Sequence, residues 1–241
     1  QLHLGGILAS QKLAKRLKAF NNPRVLDIGS GLGGLLRVCS EQCNAELYGL
    51  DITHSLNIIN HQLNKLYQPE QSISNLLTGD AQALAFADNT FDIIIFQHSL
   101  LNIPNKTLAL QEACRALKPE GQIILHEVIQ GERYEDMRFP VPWASSEQLS
   151  YLITEHNMCE LLNTAGLKVT AFNDWSEEAL SWRQRQSHKS QLVDKGTLSP
   201  EMILGDQFGL MGKNVQINLE QQAIRIVEIV LTHQSAPDVI K

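Results

Sequence analysis

Short apolar runs and longer amphipathic segments alternate along this chain. Val25–Ile28, Glu46–Leu50, Leu76–Thr78, Phe91–Phe96, Gln122–Leu125 and Leu167–Phe172 are brief and rich in Leu, Ile, Val and Phe, which predicts buried strands. Between them, apolar residues recur every three or four positions, the period of a helix packed on one side. Such segments are Ile7–Phe20 (apolar at 7, 8, 13, 14, 17 and 20), Leu35–Cys39, His54–Tyr67, Thr107–Leu117 and Thr154–Ala165, and Glu177 to about Val193 reads as a polar helix. In His54–Tyr67 the stripe is Leu56, Ile59, Leu63 and Leu66, with Asn, Gln and Lys opposite. Asn21-Asn22-Pro23, Lys118-Pro-Glu-Gly121 and Gly166 supply the stops. Ala223–Leu231 is β-branched on both faces and predicts a seventh strand, with a C-terminal helix as the alternative.

Strands alternating with helices predict an α/β, doubly wound parallel sheet, whose ligands gather beyond the carboxyl ends of the strands. Asp51, Asp80, Gln97, His98, His126 and Glu127 all fall at such ends. The first strand runs into Gly29-Ser-Gly31-Leu-Gly33-Gly34, a turn whose glycines permit unusual backbone angles and let main-chain N–H groups approach a ligand at the start of the next helix. After the fifth strand, residues 131–152 lose any period and include the stiff Phe139-Pro-Val-Pro-Trp143, which reads as a lid or substrate loop. Asp194–Asn214 reads as a loop with a short helix.

Composition narrows this picture. The 241 residues suffice for one large domain, and no linker divides them. The expected organisation is a single domain over 1–241, with an N-terminal lid helix (1–22), the loop 131–152 and a helical insertion (176–214). A formal charge of −6 with no basic run argues against nucleic acid as the main partner, and no apolar run matches a membrane span. Cys39, Cys43, Cys114 and Cys159 form no C-x-x-C pair, so no metal site and no disulfide framework are expected, and reduced cytoplasmic thiols are the default. Because the chain begins at Gln1, a removed targeting segment stays open.

The glycine turn suits two cofactors. Gly29-x-Gly31-x-x-Gly34 fits a nicotinamide dinucleotide fingerprint, whereas Asp27-x-Gly29-x-Gly31-x-Gly33 fits an S-adenosylmethionine turn. Asp51, at the tip of the second strand, lies where ribose hydroxyls are bound. Three further blocks have no counterpart in the dehydrogenase pattern: Gly79-Asp80-Ala81, Leu84-Ala-Phe-Ala-Asp-Asn-Thr-Phe-Asp92 and Leu117-Lys-Pro-Glu-Gly-Gln122. With them the chain resembles the class I S-adenosylmethionine-dependent methyltransferases. His3-x-Gly5-Gly6, Gln97-His-Ser-Leu-Leu-Asn102-Ile103, Phe139-Pro-Val-Pro-Trp-Ala144 and Asn218-Leu-Glu are similar to the sarcosine/dimethylglycine N-methyltransferase-like small-molecule group. Ser30 stands where that group commonly has Cys, and Leu101 where it commonly has Met.

The resemblance implies a Rossmann-like seven-stranded sheet, mostly parallel, with an antiparallel seventh strand between the fifth and sixth. It implies that Gly29, Ser30, Gly31 and Gly33 approach the amino-acid end of S-adenosylmethionine, with Asp27 ordering the turn. Asp51 would hold the ribose, Asp80 the adenine amine, Ile52 and Ala81 the faces of the base, and Gln97 the region near the methyl group. His98 and, second, His126 are the candidate catalytic residues, as proton acceptor or substrate positioner, since an ordinary histidine pKa of roughly 6.5 suits that work. His3, Asn102 and Trp143 are candidate substrate or lid residues, and Trp143, Phe139 and Tyr134 offer aromatic faces to a cationic amine. The expected partner is a small-molecule acceptor, most naturally a glycine-, sarcosine- or dimethylglycine-like amine. O- or C-methylation, a nicotinamide-dependent oxidoreductase and a non-catalytic cofactor-binding protein are the alternatives. A homodimer is compatible with the sequence.

Overall fold

A computed structural model describes residues 3–67, 75–189 and 201–234. Seven strands, β1 (Arg24–Ile28), β2 (Glu46–Asp51), β3 (Asn75–Thr78), β4 (Phe91–Gln97), β5 (Leu117–Gln130), β6 (Leu167–Asp174) and β7 (Ile224–His233), form one sheet in the order β3-β2-β1-β4-β5-β7-β6. The first five are parallel, and β7 runs antiparallel to both β5 and β6. The late β-branched run is therefore a strand, inserted between the fifth and sixth. Ile93, Ile94, Ile95 and Phe96 of β4 are fully buried, as expected for a central strand covered on both faces.

Helices α1 (Gly6–Ala14), α2 (Gly34–Gln42), α3 (His54–Tyr67), α4 (Lys106–Ala116), α5 (Glu155–Thr164), α6 (Ser176–Lys189), α7 (Glu201–Leu204) and α8 (Phe208–Glu220) surround the sheet. Caps follow their residue chemistry: the side chains of Asn105 and Thr154 accept the Leu108 and Asn157 amides at the starts of α4 and α5.

Several boundaries and faces differ from the sequence reading. The first helix is α1 plus a 3₁₀ turn over Lys15–Ala19, and it buries Ala9, Ser10, Leu13, Ala14 and Leu17 while Ile7 and Leu8 are exposed. In α3 the predicted stripe is wrong: Asn57, Asn60 and Asn64 are buried, whereas Ile59 and Leu66 are exposed. The reason is polar satisfaction. Asn57 Nδ2 donates to the Leu77 carbonyl and Thr78 Oγ1, and the Arg37 guanidinium donates to Asn60 and Asn64. β5 starts at Leu117, directly after α4, and runs on to Gln130 because β7 pairs with its far half. The predicted loop 194–214 contains the first half of α8; residues 190–200 lie outside the described part.

Candidate functional site

The carboxyl ends of β1, β2 and β4 converge on one rim. At β1 the glycine turn is locked rather than left as a row of open amides. The Gly29 and Ser30 amides both donate to the Leu50 carbonyl, at 2.7 and 3.0 Å, Gly31 N donates to Asp51 Oδ2 at 2.8 Å and Gly33 N to the Ser30 carbonyl at 2.8 Å. The expectation that these amides face a ligand is therefore corrected: β2 takes those of Gly29, Ser30 and Gly31, and the turn itself takes that of Gly33. Two glycines are demanded by packing. Gly29 has φ +77° and a Cβ there would lie 2.4 Å from Ser99 Cβ; Gly33 has φ +72° and would meet Asn60 Oδ1 at 2.0 Å. Gly31 differs, since a Cβ there would meet nothing nearer than the Gly29 carbonyl at 4.0 Å. Open space lies over that residue. Ser30 turns its buried hydroxyl inward, where a Cβ on Gly49 would meet it.

Asp51 accepts one amide on each oxygen, from Gly31 and from Thr53, leaving lone pairs on both for further donors. Beside it Ile52 is 69% exposed, an unusual position for an isoleucine at a strand end. Asp80 and Ala81 follow β3, the neighbouring strand; Ala81 is buried, and Asp80 is bonded to the amide and side chain of Gln82. Asp27 is buried in β1, and burial together with the Asp51 charge pushes its carboxyl up to about 7.

Three histidines from distant parts of the chain meet at the end of β4, where Gln97 pairs with His126; because β5 runs on to Gln130, His126 and Glu127 lie within that strand and not at its end as the sequence suggested. The rings of His98 and His126 are 4.7 Å apart, and His3 lies 5.8 Å from the first and 6.0 Å from the second. Ser10 Oγ bridges this group, lying 3.1 Å from His3 Nε2 and donating to Gln97 Oε1 at 3.2 Å; Gln97 Nε2 is 3.5 Å from His126 Nδ1. Burial lowers all three imidazoles: His3 to about 4, and His98 and His126 well below the ordinary value, with His3 adding to the effect on His98 and both other rings adding to the effect on His126. The cluster is neutral at physiological pH. His98 has φ +54°, its amide donates to the His126 carbonyl, and its Nε2 is buried without a hydrogen bond.

That strained residue is held by a buried carboxylate. Glu127 accepts the amides of Ser99, Leu100 and Leu101, at 2.9, 2.8 and 3.3 Å, at the amino end of a 3₁₀ turn over Leu100–Asn102. Lys106 Nζ donates to the Leu101 and Ile103 carbonyls at the other end. Burial outweighs the hydrogen bonds, so Glu127 is raised to about 7 and Lys106 lowered to about 8. Side-chain acceptors at one end and a side-chain donor at the other thus close the loop that carries His98.

A small cavity of about 70 Å³ lies over His3 and His98 and is also lined by Trp143, Trp182, Arg183 and Phe208. Trp143 Nε1 is buried with no partner. The loop over residues 131–152 is anchored from α8: Asn218 exchanges two hydrogen bonds with the Arg138 backbone, and Asn214 donates to the Pro140 carbonyl. All three loop aromatics, Tyr134, Phe139 and Trp143, pack against the core, and Trp143 also lines the cavity. Asn102 does not join the group; its side chain reaches back to the His98 carbonyl at 3.5 Å. Ser10, Trp182 and the role of Glu127 were not readable in the sequence. Ser10 lies among small residues on the buried face of a helix, the one hint of a polar contact there.

Comparison with known proteins follows this geometry. A family model described as a methyltransferase domain matches residues 7–171. The ubiquinone/menaquinone biosynthesis C-methyltransferase UbiE of Dinoroseobacter shibae is 35% identical over 108 residues, 44% of this chain and 43% of the relative. The glycine/sarcosine/dimethylglycine N-methyltransferase of Actinopolyspora halophila is 28% identical over 118 residues, 47% of this chain and 20% of the relative. Phosphoethanolamine N-methyltransferase 2 of Haemonchus contortus, solved with phosphomonomethylethanolamine and S-adenosylhomocysteine, shares the fold with a TM-score of 0.77 at 18% identity, over 97% of this chain and 54% of that one. The chain spans less than two thirds of the length of the first curated relatives it matches.

Proposed function

Because the chain belongs to the methyltransferase domain family, we propose that it is an S-adenosylmethionine-dependent methyltransferase acting on a small organic molecule, with an amine as the preferred acceptor. The observation that carries the reading is the open space over Gly31 beside Asp51, whose carboxylate keeps lone pairs on both oxygens. The residues fit this cofactor: Asp51 for the ribose hydroxyls, Ile52 and Ala81 for the base, Asp80 for its amine, Gln97 toward the rim. Of the glycine turn, Gly31 supplies the room; Gly29, Ser30 and Gly33 shape the turn, and Asp27 backs it from within β1.

When bound, the cofactor supplies an electrophilic methyl group on a sulfonium. The chain must then present a desolvated nucleophile in line with it, and orientation of this kind is worth on the order of 7–11 kcal/mol in favourable cases. A buried cluster of neutral imidazoles disfavours an ammonium ion and favours the free amine, the form with a lone pair to donate. His98 Nε2, without a partner, can hold the acceptor. Its lowered basicity makes it a positioner of the amine rather than a strong base. Trp143 Nε1 offers a second fixed point. Support for an amine comes from the N-methyltransferases among the relatives; the C-methyltransferase among them makes a carbon acceptor the second reading.

Calorimetry with S-adenosylhomocysteine and with NAD(H) tests the cofactor. Binding of the first is expected; tight binding of NAD(H) alone would overturn the reading. A screen of glycine, sarcosine, dimethylglycine, other amines, phenols and carboxylates, read as S-adenosylhomocysteine release, then tests the acceptor class.

A further inference from the structure

A second, larger space adjoins the histidine cluster. It is a cleft of about 420 Å³ between α1 and α6, lined on one side by Leu4, Leu8, Ala9 and Lys12, on the other by Trp175, Ala179, Ser181 and Trp182, with His126 also in its wall. Leu4 and Trp182 line both this cleft and the small cavity at His98. The two spaces are separated by little more than these side chains, and the His98 and His126 rings that face one space each are 4.7 Å apart.

The inner cavity, about 70 Å³, has about one sixth the volume of the cleft and so suits the small reacting head of an acceptor. The outer cleft is several times larger, and its chemistry is specific. Lys12 and Arg185 are matched by Glu177 and Glu178, so the lining carries no net charge; Lys12 pairs with Glu178 at 3.3 Å and lies 3.8 Å from the Trp175 ring centroid. Leu8 is 57% exposed there, an apolar side chain that α1 does not bury in the core. A charged ligand would gain little from such a lining, and an apolar one would cover Leu8 and the tryptophan edges.

We propose that the α1–α6 cleft is a second acceptor subsite, which takes an uncharged apolar chain or ring attached to the head group held at His98. This rests on the methyl-transfer reading, and it changes the expected acceptor from a bare glycine-like amine to one with an apolar body.

All three tryptophans of the chain, Trp143, Trp175 and Trp182, line one or both spaces, so their fluorescence reports occupancy without turnover. The probes are 1-alkanols from butanol to octanol, titrated into the whole protein with and without saturating S-adenosylhomocysteine. Affinity is expected to rise about fourfold per added methylene until the cleft is filled, and to stay within about twofold when S-adenosylhomocysteine is present. Ser181→Phe, which fills the cleft, is expected to weaken octanol at least tenfold; Leu8→Glu, at an exposed position that the fold tolerates, should weaken it several-fold. Affinity independent of chain length overturns the proposal. So does displacement of the alkanols by S-adenosylhomocysteine, or an unchanged series in Leu8→Glu. Failure of S-adenosylhomocysteine to bind in calorimetry would instead strike the methyl-transfer reading, while the alkanol series still reports on the cleft.

Discussion

Asp51 Oδ2 accepts the Gly31 amide at 2.8 Å, so the carboxylate at the end of β2 also fixes the glycine turn at the end of β1. One side chain thereby shapes the open space over Gly31 and offers lone pairs into it. Asp51→Ala should weaken S-adenosylhomocysteine binding tenfold or more, as expected for loss of a charge-assisted hydrogen bond. Calorimetry measures it, and unchanged affinity removes Asp51 from the ribose.

The glycines of the turn should separate by the property they damage. Gly29→Ala places a methyl 2.4 Å from Ser99 Cβ at a positive φ and is expected to cost about 2–4 kcal/mol of stability. Gly31→Ala meets open space, so its folding cost should be about 1–2 kcal/mol, the backbone component alone. Cofactor affinity should fall more than stability does. Chemical denaturation and calorimetry on both variants give the comparison.

His98→Asn keeps a residue that tolerates a positive φ and removes the imidazole. Turnover should fall tenfold or more with S-adenosylhomocysteine affinity within a factor of two or three. The wild-type rate should show no titration of His98 between pH 6 and 8, because burial keeps the ring neutral there. A fall in cofactor affinity with normal turnover would make His98 a structural neighbour only.

Glu127 carries a sign for the pH dependence of stability. Its folded pKa of about 7 lies above the ordinary carboxyl value, so its contribution is complete below about pH 4 and is lost as pH rises toward and through 7. Glu127→Gln keeps one carbonyl oxygen for the Ser99 and Leu100 amides but turns an NH2 toward the Leu101 amide in place of an acceptor, and it should be destabilised at every pH. The difference from wild type should be smaller at pH 8 than at pH 5. Denaturant midpoints at the two pH values test this; a larger difference at pH 8 would contradict it.

Arg16 donates to both oxygens of buried Glu228, at 2.6 and 2.5 Å, tying the N-terminal segment to β7. Arg16→Ala should cost about 2–3 kcal/mol, less than the roughly 3–5 kcal/mol of a fully buried pair because the guanidinium is one-third exposed and Asn173 still serves the carboxylate. Thermal denaturation reads the loss, and faster proteolysis before β1 would show where the chain loosens.

The succession of strands and helices was legible because it follows from local chemistry, whereas the place of β7 between β5 and β6 was implied only by the family resemblance. β1, β2, β4 and α3 occupy the expected segments, and Asp51 and Gln97 close their strands as expected, whereas His126 and Glu127 lie inside β5 because β7 extends it to Gln130. What failed was the assignment of faces. A stripe of Leu and Ile in α3 reads as a core face, yet Asn57, Asn60 and Asn64 are buried because strand carbonyls and Arg37 need partners on that side. Ile7 and Leu8 fail in the same way on α1. Period identifies a helix, but polar atoms on neighbouring elements select which face turns in.

By itself the sequence determined the alternation of strands and helices, the glycine turn, and the acidic residues at the tips of β2 and β3, all set within a few residues of chain. Tertiary structure decided the rest. Three of the turn's amides, those of Gly29, Ser30 and Gly31, are taken by Leu50 and Asp51; His3, His98 and His126 become one neutral cluster; Leu4 and Trp182 stand between two spaces. Each depends on residues far apart in the chain, and burial, which resets hydrogen bonding and charge, exists only once those residues have met.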